Sequence, residues 1–300
     1  MKLRDVFELV LLAMLWGGSF ILIRVAVPEF GVIALMALRV TIGSLCLFPV
    51  LLLKKGLPDI KRHFKPIFVV GLFNSAVPFC LLAFAAVTFT AGFTSIINAT
   101  VPLWSAIITL VLLKQQSSKA AQVGLLVGFC GVIVMVWDKL VIAEDGFVPA
   151  LIAGLLATLS YGAIAIYTKK ALQGVNPISI ACGSLFCASL VLLPLSVFFW
   201  PQQAISAQAW IALLIMSAAS TAFAVVLFFR LIASVGPSKA ITVTYLIPLF
   251  GMLFGAVLLD EVITSEMLAG CGLILLGVGL ATGLVKGKRT SIKKEAHSNG

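Results

Sequence analysis

Apolar residues occur along almost the whole chain in stretches of about 20, separated by short polar or turn-forming segments. A helix of about 20 apolar residues is long enough to cross the hydrocarbon core of a bilayer. The pattern therefore predicts an all-α integral membrane protein with ten transmembrane helices. We place them at residues 6–26, 31–53, 66–87, 92–113, 119–137, 147–168, 177–199, 209–231, 238–259 and 266–286.

The composition agrees with this pattern. Hydrophobic residues make up 61% of the chain and charged residues only 11%, whereas roughly a quarter of an average soluble domain is charged. Asp5 and Glu8 interrupt the basic start of the first apolar stretch, and no small-residue cleavage site follows it. We therefore interpret this stretch as a retained first helix and not as a signal peptide.

The distribution of basic residues predicts the orientation. With ten crossings both termini lie on one side, and the loops on that side hold most of the Lys and Arg residues. The positive-inside rule makes this side cytoplasmic. The net charge of +10 is thus a topology signal that gives no support to nucleic-acid binding. The basic residues on the cytoplasmic side are Lys2, Arg4, Lys54, Lys55, Lys61, Arg62, Lys65, Lys114, Lys119, Lys169, Lys170, Arg230, Lys239, Lys286, Lys288, Arg289, Lys293 and Lys294.

The two halves of the sequence resemble each other. Pro102 and Pro248 begin similar segments, and the offset between these two prolines also relates Gly124 to Gly270 in the following span. Because each half has five crossings, the second half enters the membrane in the opposite sense, which is the inverted repeat found in many transporters. We predict a first repeat at 1–137, a periplasmic linker at 138–146, a second repeat at 147–286 and a basic cytoplasmic tail at 287–300.

The sequence resembles the drug/metabolite transporter superfamily, in particular its ten-helix EamA-like branch, over residues 6 to 286. The resemblance rests on Leu15-Trp16-Gly17-Gly18-Ser19-Phe20, on Leu38-Arg39, on the prolines of the fourth and ninth spans and on Asp260-Glu261. It implies a transporter that exports amino acids, related metabolites or toxic compounds across a bacterial inner membrane. The chain departs from the family pattern at Lys114-Gln115, where an acidic residue often closes the fourth span.

The two prolines also indicate a substrate site. Proline donates no backbone hydrogen bond, so the carbonyls of Asn98 and Thr244, four residues earlier, are expected to be freed at helix kinks. Matched interruptions in two repeats are typical of the substrate site of a transporter. The alternative is that the polar side chains near the kinks only satisfy the helices. The candidate substrate-binding residues are Trp16, Phe20, Asn98, Pro102, Thr242, Thr244, Tyr245 and Pro248.

Arg39 is the only basic residue well inside a predicted span. A charge there costs on the order of 3 kcal/mol unless it is paired or hydrated. Two interpretations remain open at this stage: Arg39 attracts a carboxylate of the substrate, or it serves a structural role by binding carbonyls or polar side chains nearby.

Enzymatic chemistry has no support in the sequence. It contains no HExxH, GxSxG or Walker A motif, and both histidines lie outside the spans. The six cysteines show no metal-ligand spacing, so we predict no metal and no cofactor. The predicted partners are a small-molecule substrate and the lipid bilayer. A scaffold or receptor without transport is the main alternative, a drug or nucleotide-sugar carrier is another within transport, and the oligomeric state, driving force and direction stay open.

Overall fold

The computed structural model describes residues 2–111, 114, 118–142, 145–240 and 242–282, and within these residues the secondary structure is helical, with no strand. The ten principal helices are α1 (Leu3–Phe30), α2 (Val32–Leu53), α3 (Phe64–Thr88), α4 (Ala91–Val111), α5 (Lys119–Ile142), α6 (Phe147–Ala171), α7 (Pro177–Phe198), α8 (Ala207–Val235), α9 (Val243–Leu259) and α10 (Ser265–Ala281). Two short helices, Leu57–Arg62 and Pro237–Ala240, precede α3 and α9.

Eight of these helices, α1 to α8, are long and apolar enough to cross a membrane. Helices α9 and α10 are apolar but each has 17 residues, which corresponds to a length of about 26 Å. The predicted ninth span is divided because Pro237–Ala240 forms a separate short helix before α9. The end of the predicted tenth span and the predicted tail at 287–300 lie outside the described residues. Helix α5 continues through residues 138–142 of the predicted linker.

Polar contacts identify which helix termini share an end of the bundle. Glu8 near the start of α1 pairs with Arg230 near the end of α8 at 3.1 Å. At the other end, Arg24 donates to the backbone carbonyls of Ala86 and Val87 in the last turn of α3. We call these the amino-terminal end and the opposite end of the bundle.

The helix packing is similar in the two halves when α1 to α5 are matched in order with α6 to α10. Helix α1 packs against α8 and α9, and α6 packs correspondingly against α3 and α4. Helix α2 contacts α8 as α7 contacts α3, while α2 with α7 and α5 with α10 form pairs that map onto themselves. The largest contacts between the first five helices and the last five therefore have counterparts.

Small residues bring the paired helices close together. An added Cβ at Gly17 of α1 would lie 2.8 Å from the carbonyl oxygen of Ile247 in α9. A Cβ at Gly131 of α5 would lie 2.8 Å from the carbonyl oxygen of Gly270 in α10. Because these glycines have no side chain, the two backbones can approach closely, as is common at small residues between membrane helices.

Three helices depart from regular α-helical geometry near their middle. Helix α3 contains a π-helical segment at Leu72–Ala76, and α8, its counterpart in the second half, contains one at Met216–Phe223. Helix α4 is interrupted between Asn98 and Val101, just before Pro102, as the proline predicts. Helix α9 runs through Pro248 as one continuous helix, so the two prolines affect their helices differently.

Candidate functional site

All ten principal helices contribute to one central cavity of about 1070 Å³. Its exposed wall is more apolar than polar, but hydroxyl and amide side chains are distributed along it, and such a mixture suits a small-molecule site. Trp16 and Phe20 of α1 and Phe228 and Phe229 of α8 supply aromatic surface.

The cavity extends toward the amino-terminal end of the bundle. There its wall includes Thr109 and Leu110 at the end of α4, Ser118 before α5, Thr168 near the end of α6 and Thr282 after α10. Toward the opposite end the lining stops, within the described residues, at Ile23 of α1, Leu82 of α3 and Ile247 of α9. The cavity is therefore approached from the amino-terminal end.

Carboxylates hold helix ends together at the opposite end. Glu261, just after α9, accepts hydrogen bonds from the backbone N–H groups of Ala91 at 2.8 Å and Gly92 at 3.3 Å. Glu29 of α1 accepts from the backbone N–H and the hydroxyl of Ser206, the residue before α8. Both carboxylates lie at helix amino termini, where the backbone N–H groups and the helix dipole favour negative charge.

Aromatic packing accompanies these contacts at the opposite end. The rings of Phe89 and Phe93 lie 4.5 Å apart between centroids, and Phe147 packs 5.1 Å from Phe89. Phe30 at the end of α1 contacts Trp210 of α8 edge-on at 4.9 Å. Apolar contacts and charged hydrogen bonds thus close the cavity on this side.

The two π-helical segments place polar side chains on the cavity wall. Asn74 and Ser75 of α3 line it from one repeat, and Ser220 and Thr221 of α8 line it from the other. The two pairs are related by the same sequence offset as Pro102 and Pro248. The hydroxyl of Thr221 donates to the carbonyl of Met216, five residues earlier. Single-turn π segments in helices frequently occur at functional sites because they redirect side chains.

Six of the nine sequence-predicted site residues lie on the wall of this cavity. They come from α1, α2, α4 and α9, so helices that are distant in sequence share the wall. These residues are Trp16, Phe20, Arg39, Asn98, Pro102 and Thr244.

The other three predicted residues lie elsewhere. Thr242 and Tyr245 line a separate pocket of about 560 Å³ beside Leu9 of α1, and the Tyr245 hydroxyl lies 3.3 Å from that of Thr282. Pro248 is buried within α9 and is not part of either wall. Some of the predicted residues near the two prolines therefore line the cavity, whereas others contribute to the packing around α9.

Two asparagines lie on the cavity wall at the irregular parts of their helices. Asn98 ends the first segment of α4, and Asn74 lies in the π segment of α3. Neither side-chain amide makes a hydrogen bond in the part of the protein that the structure describes. Each amide offers two donors and one acceptor to a polar molecule in the cavity.

Sequence reasoning missed several lining residues, among them Asn74, Tyr161, Ser184 and Thr221. The sequence did contain a signal for Asn74 and Thr221. Asn74-Ser75 and Ser220-Thr221 are polar pairs at corresponding positions in the third apolar stretch of each half. Tyr161 carries no comparable signal, since its position on the wall depends on the rotation of α6.

Comparison with known proteins agrees with this architecture. The model of the EamA-like transporter family matches residues 6–137 and again residues 148–283. The chain belongs to the EamA-like transporter family. It is a multi-pass membrane protein of a transporter family, and the central cavity is the candidate transport site of this EamA-like chain.

Individual relatives carry the same description. The chain is 24% identical to the uncharacterized transporter YoaV of Bacillus subtilis over 90% of this chain and 93% of that protein. It is 27% identical to an uncharacterized transporter of Archaeoglobus fulgidus over 88% and 93%. A solved crystal structure superposes with a TM-score of 0.67 at 16% identity, covering 95% of this chain and 99% of the other, and so shares the fold.

Proposed function

We propose that this EamA-like protein is an alternating-access carrier with ten membrane crossings in two inverted five-helix repeats. It exports amino acids or related small metabolites across a bacterial inner membrane, and the structure represents its cytoplasm-facing state. The proposal is carried mainly by one observation: a central cavity built by all ten principal helices extends to only one end of the bundle.

Three further observations support the inverted repeat. The family model matches each half of the chain once. The main packing partners of α1 to α5 correspond to those of α6 to α10 with the numbers exchanged. The π segments lie in corresponding helices of the two halves, α3 and α8, and both face the cavity. Inverted repeats commonly enclose a substrate site at their interface and rock around it.

The charges support the proposed direction of opening. The amino-terminal end of the bundle holds Arg4, Arg230 and the basic loops, and the positive-inside rule assigns that end to the cytoplasm. A cavity open to the cytoplasm is the state in which an exporter takes up its substrate. Closure at the periplasmic end is supported by the contacts of Glu261 and Glu29 with helix amino termini.

Efflux from liposomes tests this function. Purified protein is reconstituted into liposomes loaded with a mixture of amino acids and metabolites, and the released compounds are identified by mass spectrometry beside protein-free liposomes. We expect selective release of a small group of chemically related compounds. Release no faster than from protein-free liposomes, with protein that is folded by circular dichroism, contradicts the proposal.

A pair of tryptophan variants on α6 locates the pathway. Ala165 lines the cavity, so Ala165→Trp is expected to fill part of it and to abolish efflux. Ile152 on the same helix is 52% exposed on the outer surface and is not part of the cavity wall. Ile152→Trp is the matched control and retains efflux if the cavity is the transport pathway.

A further inference from the structure

Arg39 is held in a defined orientation at the wall of the central cavity. It is only 7% exposed, and its Nε donates a hydrogen bond to the Thr221 hydroxyl oxygen at 3.1 Å. Its guanidinium carbon lies 4.1 Å from the centroid of the Phe79 ring, a cation–π contact. These two contacts position the guanidinium between α3 and α8, next to Thr221 of the α8 π segment.

Most of the hydrogen-bonding capacity of Arg39 is unused within the part of the chain that the structure describes. A guanidinium has five N–H donors, and only the one on Nε has a hydrogen-bond partner among the described residues. Asp and Glu are absent from the described residues that line the cavity, and among these residues Arg39 is the only charged side chain. A buried charge without a counter-ion is unfavourable in a membrane protein. The described wall supplies no counter-ion, and a molecule bound in the cavity would supply one.

The hydrogen bond to Thr221 does not by itself require a charged side chain at this position. The hydrogen bond to Thr221 needs one donor, and a neutral amide side chain supplies that without the cost of burying a charge. The corresponding part of the second repeat, around Gly183 and Ser184, has no basic residue. The described wall of the cavity therefore holds one positive charge, that of Arg39. The matching helix of the second repeat packs without a basic residue at this position.

We infer that Arg39 binds the carboxylate of the transported substrate, so that the substrates are small organic acids or zwitterions with one carboxylate group. This inference rests on the proposed transport function and specifies its substrate class. The planar guanidinium matches a carboxylate through two parallel N–H···O hydrogen bonds. Asn74 and Asn98 offer amide groups to other polar parts of the substrate, and Trp16 and Phe20 offer apolar surface to its side chain.

Binding to the wild-type protein tests the inference without any mutation. Purified protein in detergent is titrated with a panel of α-amino and α-hydroxy acids, each paired with its uncharged or singly charged primary amide, and binding is followed by tryptophan fluorescence and thermal shift. We expect acids to bind at least about tenfold more tightly than their amides. Equal affinity of acids and amides, or no binding of any acid, overturns the inference.

Variants of Arg39 assign the preference to this side chain. Arg39→Gln retains a donor for Thr221 and is expected to lose the preference for acids while its affinity for the amides is unchanged. Arg39→Lys retains the charge without the two-pronged geometry and is expected to keep part of the preference. A full preference for acids in folded Arg39→Gln protein overturns the inference. If the Arg39→Gln protein fails to fold, the inference is still tested by the preference for acids over amides in the Arg39→Lys protein and in the wild type.

Liposome flux separates this inference from the proposed function. If wild-type protein binds acids selectively but transports none of them, the transport proposal fails while the carboxylate site stands. If it transports compounds irrespective of a carboxylate group, the transport proposal stands and the assignment of Arg39 is wrong. Inorganic phosphate and a short-chain phosphatidylglycerol are included as competitors. Displacement of the acids by either at equal concentration shows a general anion or lipid-headgroup site and contradicts the substrate class inferred.

Discussion

The Glu261 carboxylate accepts a hydrogen bond of 2.8 Å from the backbone N–H of Ala91 and thereby joins the end of α9 to the start of α4. The two helices belong to different predicted repeats. The second carboxylate oxygen accepts from Gly92, so both oxygens are used at one helix amino terminus. This contact lies at the closed end of the cavity, at one of the acidic positions by which the sequence resembles its family.

Removal of this carboxylate is expected to destabilise the protein. Hydrogen bonds to a charged group and the interaction with the helix dipole together predict a loss of about 2 kcal/mol in the free energy of unfolding for Glu261→Ala. Glu261→Gln is expected to lose about half as much, since an amide oxygen still accepts. Thermal unfolding in detergent measures both. Asp260→Asn is the control, because Asp260 is exposed and lies at positive φ, which asparagine tolerates. Equal stability of Glu261→Ala and wild type contradicts this prediction.

Two adjacent glycines of α1 are expected to differ sharply in their tolerance of alanine. A Cβ at Gly17 would lie 2.7 Å from the Cβ of Phe250 and 2.8 Å from the Ile247 carbonyl oxygen, so α1 and α9 would have to separate. Gly17→Ala is expected to cost about 1–3 kcal/mol and to slow transport. Gly18→Ala places its Cβ 3.6 Å from the Phe254 ring, an ordinary contact, and is expected to behave like wild type. Similar losses in both variants contradict the close packing.

The hydroxyl oxygen of Thr158 is expected to contribute to the stability of the protein. It is fully buried, and its oxygen accepts from the indole N–H of Trp104 at 3.0 Å, which links α6 to α4. Thr158→Val keeps the shape but leaves that N–H without an acceptor, at an expected cost of about 1–3 kcal/mol. Thr41→Val is the control, because the Thr41 hydroxyl only donates to a carbonyl of its own helix, that of Ala37. Chemical or thermal unfolding compares the two, and equal effects argue against a role for the α4–α6 hydrogen bond.

Much of the helical layout was predictable because apolar length is a strong local signal. Eight long apolar helices lie where spans were predicted, and the break in α4 follows from Pro102. Membership of the cavity depends on helix rotation, which local sequence does not specify. Thr242 and Thr244 were both predicted to bind the substrate, but residues two apart are separated by about 200° around a helix. Only Thr244 lines the cavity, and Thr242 lines the separate pocket.

The π segments and the role of Glu261 were not predictable in the same way. Leu72–Ala76 and Met216–Phe223 combine apolar, small and polar residues that also occur in regular helices, and nothing in their composition indicates a wider helical turn. The partner of Glu261 is 170 residues away in sequence and is a backbone group, which has no residue-type signature. Such contacts depend on the tertiary arrangement.

Accessibility of Thr168 is expected to report the direction in which the cavity opens. Thr168 lies on the cavity wall near the end of α6, beside Lys170, which is exposed outside the cavity. In a cysteine-free background that still transports, Thr168→Cys is expected to react with a membrane-impermeant maleimide in inside-out vesicles and not in right-side-out cells. Lys170→Cys is exposed outside the cavity and is expected to react in inside-out vesicles in either conformation. Reaction of Thr168→Cys only from the outside contradicts the assigned orientation.

The same reporter connects Glu261 to the conformational equilibrium. A carrier exchanges between states open to either side, and a contact made in only one state shifts the populations by its own free energy. Loss of the Glu261 contact is expected to favour the outward-open state, so adding Glu261→Ala should slow labelling of Thr168→Cys several-fold while labelling of Lys170→Cys stays constant. Unchanged labelling of Thr168→Cys would show that Glu261 stabilises both states equally and is not a gate contact.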